Sequence, residues 1–254
     1  MTAFLSELRK RNKILFNFGW LCMLGAVACI LLILIDNTIV TGINAWIKPL
    51  KFFLSVGIYS WTMGWLLYYL QSQKKVKSYS WGAVIIMAFE LSVIVWQASN
   101  GRLSHYNIST PLYAWLFQFM GIAIVTITVW TAYIAYLFFR QKQFTISETY
   151  LWGIRLGIIF FIIFSFEGGV MAYKLQHTVG TTDGGPGLPL LNWSKEYGDL
   201  RVAHFFGLHS LQLLPLTGFY LAKKNWQIFL FSFLYLALIV LMLVQALNKS
   251  PFIG

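Results

Sequence analysis

Residues 14–35 read ILFNFGWLCMLGAVACILLILI, an apolar run carrying no charge. A helix needs about 20 such residues to cross the hydrocarbon core of a bilayer. Working outward, six further runs of the same character cover residues 49–70, 81–98, 111–139, 150–172, 200–222 and 228–247. Strands of a membrane barrel alternate apolar and polar residues, and these runs do not. Inside lipid each backbone polar group must be satisfied within its own segment, so the spans are read as helices. The expectation is an all-α, polytopic integral membrane protein: seven transmembrane helices forming one domain over residues 1–254. The first run is too long for a signal-peptide core and lacks a small-residue cleavage site, so it is read as an uncleaved anchor.

Composition agrees. Of 254 residues, 58% are hydrophobic and only 11% charged, whereas a soluble domain carries roughly 25% charged residues. Lys and Arg set the orientation. Arg9, Lys10, Arg11, Lys13, Lys74, Lys75, Lys77, Arg140, Lys142, Arg155, Lys223 and Lys224 fall on one side of the seven-span plan. The N-terminus is therefore expected inside and the C-terminus outside. The net charge of +11 is spread along these inner connections. It reads as a topology signal and an attraction to anionic lipid. Nucleic-acid binding would need that charge on one soluble surface, and none is present. Cys22 and Cys29 sit seven residues apart on one helix, about 10 Å along its axis, which is too far for a disulfide.

The outer connections hold the chemistry. All four histidines, His105, His177, His204 and His209, fall on that side. The third outer loop, residues 173–199, is rich in Gly and Pro but also holds Leu188, Leu190, Leu191 and Trp193. Such apolar groups are costly in open water, so the loop is expected to fold back as a lid. The sixth span opens with Asp199 and runs through Arg201, His204, His209 and Gln212 to Pro215. At 100° per residue those four polar groups fall within an arc of about 140°. They form a stripe descending from the outer surface.

Two carboxylates lie at membrane depth. Glu90 is in the third span, with Gln97 on its face two turns on; Glu167 is in the fifth, followed by Gly168 and Gly169. Carboxylates at such depth cost at least about 2.5 kcal/mol and normally face a cavity or a partner. Glu90, Glu167 and His209 lie at similar depths and are the candidate catalytic or proton-carrying groups. The structural alternative is pairing with Arg201 or Lys51. His105, His204 and His209 are candidate metal ligands; Arg102, Arg201, Gln97 and Gln212 are candidate substrate-binding groups. Imidazole with carboxylate suits zinc, iron or manganese. A haem would need His105 or a non-histidine ligand beside the sixth span.

Trp46-Ile47-Lys48-Pro49-Leu50-Lys51-Phe52, Ser104-His105-Tyr106-Asn107 and the stretch from Asp199 to Pro215 resemble motifs of an uncharacterised family of bacterial multi-pass proteins. The resemblance covers most of the chain and implies a bacterial cytoplasmic (inner) membrane; it implies no activity. Three functional readings follow from the residues. The first is a metal- or haem-dependent membrane enzyme or redox protein. The second is a proton-coupled small-molecule transporter or channel, with Glu90 titrating. The third is a membrane scaffold whose polar stripe locks helices together. Beyond the lipid bilayer, a small-molecule substrate is the expected partner.

Overall fold

The computed structural model describes residues 2–253. Among them the chain forms eight α-helices: α1 (Thr2–Arg11), α2 (Lys13–Ile35), α3 (Ile47–Leu66), α4 (Gln73–Ser99), α5 (Pro111–Arg140), α6 (Glu148–Lys174), α7 (Leu200–Tyr220) and α8 (Asn225–Leu247). Two small antiparallel hairpins interrupt them, β1 (Ile39–Val40) with β2 (Ile43–Asn44) and β3 (Thr178–Val179) with β4 (Gly198–Asp199). Five helices, α2, α4, α5, α6 and α8, are long and apolar enough to cross a membrane. The chain is thus a multi-pass helical protein in contact with lipid. Its exposed apolar side chains fit this: Leu112, Trp115, Phe119, Ile122, Val125 and Val129 follow one face of α5 at helical spacing, a stripe that water would penalise and acyl chains do not.

Helices α3 and α7 have 20 and 21 residues but are more polar, and neither is among those five. They are also the more enclosed. Ten residues of α7 are buried compared with five in α8, and nine of α3 compared with six in α2. A helix shielded by its neighbours tolerates polar side chains that a lipid-facing helix does not.

The chain divides into two compact units, Met1–Ile127 and Thr128–Gly254. The first is built on α2, α3 and α4, the second on α6, α7 and α8, and in each the first two helices pack most intimately. The likeness reaches single positions. Asn12 caps α2 by accepting from the Leu15 amide, and Ser147 caps α6 by accepting from the Tyr150 amide. Counting from those caps, Leu15 and Tyr150, Phe18 and Gly153, Gly19 and Ile154, Cys22 and Gly157, and Cys29 and Phe164 are matched, and all are buried. Pro49, Leu50, Gly57 and Gly64 of α3 match buried Val202, Ala203, Ser210 and Thr217 of α7. Val76, Ser80, Ala83 and Ile94 of α4 match buried Ile228, Ser232, Tyr235 and Ala246 of α8.

Contacts repeat as well. A Cβ on Gly57 would lie 3.3 Å from that of Cys22, and at the matched place Ser210 donates to the Gly157 carbonyl at 3.1 Å. In the second unit the helices touch backbone to backbone: side chains on Gly153 and Gly218 would run into the carbonyls of Leu214 and Thr149. Small residues allow this approach, and dispersion between backbones then substitutes for a hydrophobic drive that lipid cannot supply. Each unit is built on three helices and these buried positions correspond, a partial internal repeat.

Candidate functional site

The second unit holds an ionisable pair inside its helix packing. Glu167 lies two turns before the end of α6, about 10 Å along the axis, and His204 lies in the second turn of α7. Their Oε2 and Nδ1 atoms stand 3.2 Å apart. The glutamate side chain is nearly closed off and the imidazole half-buried. Gly168 makes the seat, since a Cβ there would fall 2.9 Å from His204 Cε1. The contact is not a hydrogen bond: neither carboxylate oxygen of Glu167 nor His204 Nδ1 has a hydrogen-bond partner. Orphaned polar atoms in a low-dielectric setting cost about 1–3 kcal/mol each, so a group that satisfies them binds with that advantage.

Farther along α7, His209 Nδ1 donates to Gln212 Oε1 at 3.2 Å, and the His209 ring packs edge-on against Phe205, centroids 4.3 Å apart. His204 and His209 thus lie on one helix with separate neighbours. Arg201 is already engaged: it bonds both oxygens of the buried Asp199 and the Asn192 carbonyl. Asp199 also caps α7 by accepting from the Arg201 amide and takes the Ser194 amide.

The connection above this helix is ordered. Leu175, in the left-handed region at φ 54°, ends α6. Asp183 then gathers the chain, accepting the His177 and Thr178 amides, the Thr178 hydroxyl and the His177 ring at 2.6 Å. Burial pushes the Asp183 carboxyl upward, but the His177 hydrogen bond and charge, with the Thr178 donors, bring it well below the usual carboxylate range. Trp193 is buried against Phe205, Phe206 and Phe252. The sequence alone did not single out Asp183. Its signal was an Asp within Thr-Thr-Asp-Gly-Gly, a residue type that bonds nearby backbone amides in turns.

In the first unit, Glu90 and Gln97 lie on one buried face of α4, 3% and 1% exposed, with Val93 and Ile94 between them. Each has an Oε1 atom without a hydrogen-bond partner. Val93 and Ile94 pack with Met120, Phe52, Phe89 and Leu116. His105 accepts or donates at 3.0 Å with Ser104 and rests its ring 5.4 Å from that of Phe52. Arg102 lies over the Tyr113 ring, 5.1 Å from its centroid.

Glu167 and His204 offer two metal-binding side chains, one fewer than the three protein ligands of catalytic zinc sites. Among the described residues no group of three or more His, Cys, Asp or Glu side chains comes together. The repeat adds a contrast of its own. The position of Glu167 in α6 is Leu32 in α2, His204 of α7 matches Lys51 of α3, and Glu90 of α4 matches Met242 of α8. At these three places the two units differ in chemistry. No family model, curated protein or solved structure matches the chain.

Proposed function

We propose that this chain is a proton-coupled membrane transporter of a small molecule, with Glu167 and His204 as the proton-exchanging pair. The observation that carries this reading is the Glu167–His204 contact, whose carboxylate oxygens and facing imidazole nitrogen have no hydrogen-bond partner. A pair held by other bonds would be a structural lock. This pair instead keeps acceptor capacity for a proton, water or a substrate donor. The internal three-helix repeat supports the same reading, because transporters are often built from repeats and place ionisable groups near mid-membrane.

On this reading α3 and α7 also cross the bilayer, giving seven spans with the N-terminus inside. The membrane is the bacterial cytoplasmic one. Glu90 and Gln97 form a second polar station, His209 and Gln212 extend the path along α7, and His105 and Arg102 stand at the outer end of the first unit. The segment between α6 and α7 acts as the lid. A metal- or haem-dependent reaction at the outer face is the second reading. Its support is the bite of Glu167 and His204, which suits a divalent ion with further ligands from water or substrate.

The test is proton movement in proteoliposomes carrying an internal pH dye, with a panel of small metabolites added outside and a potassium diffusion potential imposed. Wild type acidifies the lumen with at least one compound; Glu167→Gln and His204→Gln do not, while remaining folded by thermal unfolding. Equal proton movement in Glu167→Gln would remove the pair from the mechanism. Stoichiometric zinc, iron, manganese or haem in the purified protein, lost in His204→Gln, would favour the second reading.

A further inference from the structure

The first unit gathers exposed basic side chains at one end. Asn12, between α1 and α2, donates to the Ser80 hydroxyl at 2.8 Å and is buried with it. This bond fixes the α1–α2 junction beside the first turns of α4. Arg9, Lys10 and Lys13 flank the junction, Lys74, Lys75 and Lys77 line the start of α4, and all six are exposed. Lys77 precedes Ser80 by three residues, about 4.5 Å along the helix, so both groups share one surface.

Acidic residues are scarce in this part of the sequence. The only acid before Asp36 is Glu7, and it is bonded to Arg11 at 2.9 Å. Arg11 itself is enclosed, donating to the Tyr69 hydroxyl at 2.8 Å and lying 3.8 Å from the Trp65 ring centroid. Between Asp36 and Glu90 there is no acid at all. Glu90 is buried some 25 Å farther along α4. Three lysines in the opening turns of a helix also oppose its dipole. The same end exposes Phe4, Tyr68 and Trp81, side chains that favour the headgroup level of a bilayer.

We propose that this end of the first unit is a binding surface for the phosphate headgroup of anionic phospholipid. Phosphates meet Arg9, Lys10 and Lys13 on one side and Lys74, Lys75 and Lys77 on the other. The aromatic side chains pack against the glycerol and upper acyl region. A free phosphate would satisfy the cations but not the aromatics, which is why the lipid is the occupant. The site is independent of the proton pair.

To test it, the full chain is purified in mild detergent, stripped of lipid and titrated with phosphatidylglycerol or phosphatidylcholine, and bound lipid is read by native mass spectrometry. Each basic residue near an anionic headgroup contributes roughly a fivefold factor. The Lys74→Gln/Lys75→Gln/Lys77→Gln variant therefore loses about a hundredfold in phosphatidylglycerol affinity, and Arg9→Gln/Lys10→Gln about twentyfold. Lys223→Gln/Lys224→Gln, a change in the second unit, leaves affinity unaltered. Equal binding of the two lipids, or undiminished binding in both first-unit variants, overturns the proposal. Displacement of the lipid by millimolar inorganic phosphate overturns it too, by marking a site for free anions.

Discussion

Glu167 and His204 face each other at 3.2 Å on adjacent helices, each with an atom that no hydrogen bond satisfies. Two arginines of the same unit are engaged: Arg155 donates twice to the Phe138 carbonyl, and Arg201 holds Asp199 with two hydrogen bonds. Against those two arginines, this ionisable pair has hydrogen-bonding capacity to spare.

The seat of His204 is set by Gly168, so its geometry responds to volume there. Gly168→Val is expected to displace the ring and to lower proton-coupled activity at least as much as His204→Gln. Gly169→Ala, where a Cβ meets nothing within 4 Å, is expected to leave activity intact. Activity of the two variants in the same vesicles makes the comparison.

Helix approach in the second unit depends on Gly153 and Gly218. Gly153→Leu or Gly218→Leu forces α6 and α7 apart and is expected to destabilise by about 3 kcal/mol or more, the upper range for overpacking. Gly121→Ala, in open space on α5, is expected to be neutral or stabilising by up to about 1 kcal/mol. Thermal unfolding in detergent reads both.

Asn12 serves two bonds, capping α2 and tying it to Ser80. Asn12→Ala is expected to cost about 2 kcal/mol, combining a lost cap with a buried hydrogen bond. Ser80→Ala should cost less, about 1 kcal/mol. Denaturation in matched detergent would show whether that order holds.

Asp183 gives the α6–α7 connection a pH dependence. Its carboxyl lies below the usual range in the folded chain, so its stabilising effect is fully present above the unfolded value of about 3.9. That effect is lost as pH falls further toward the folded value. The connection should resist proteolysis from pH 5 to 8 and lose protection only progressively below about pH 4. Asp183→Asn should be cleaved across the whole range. Cleavage of that variant no faster than wild type at pH 7 would show that the aromatic packing of Trp193 holds the segment alone.

The membrane character was plain in the sequence, because long apolar runs are a property of composition. Five of the seven runs stand as helices apolar enough to span. The polarity of α3 and α7 dilutes their signal because neighbours shield them. Glu167 and His204 were both readable as candidates, but not as partners. Charge alone suggests Arg201 or Lys51 for Glu167, and only the fold shows Arg201 engaged by Asp199. The repeat surfaces in sequence as little more than Lys51-Phe52-Phe53 beside His204-Phe205-Phe206. What it preserves is where a residue is buried, and Cys22 against Gly157 or Gly57 against Ser210 share no chemistry that a sequence pattern would show.

The central claim is that Glu167 and His204 exchange a proton. Infrared difference spectroscopy of the reconstituted protein, with and without a transported compound, observes the carboxyl stretch directly. The account predicts a substrate-induced carboxyl band that is absent in Glu167→Gln and altered in His204→Gln. No substrate-induced Glu167 signal, or one indifferent to His204→Gln, would contradict it.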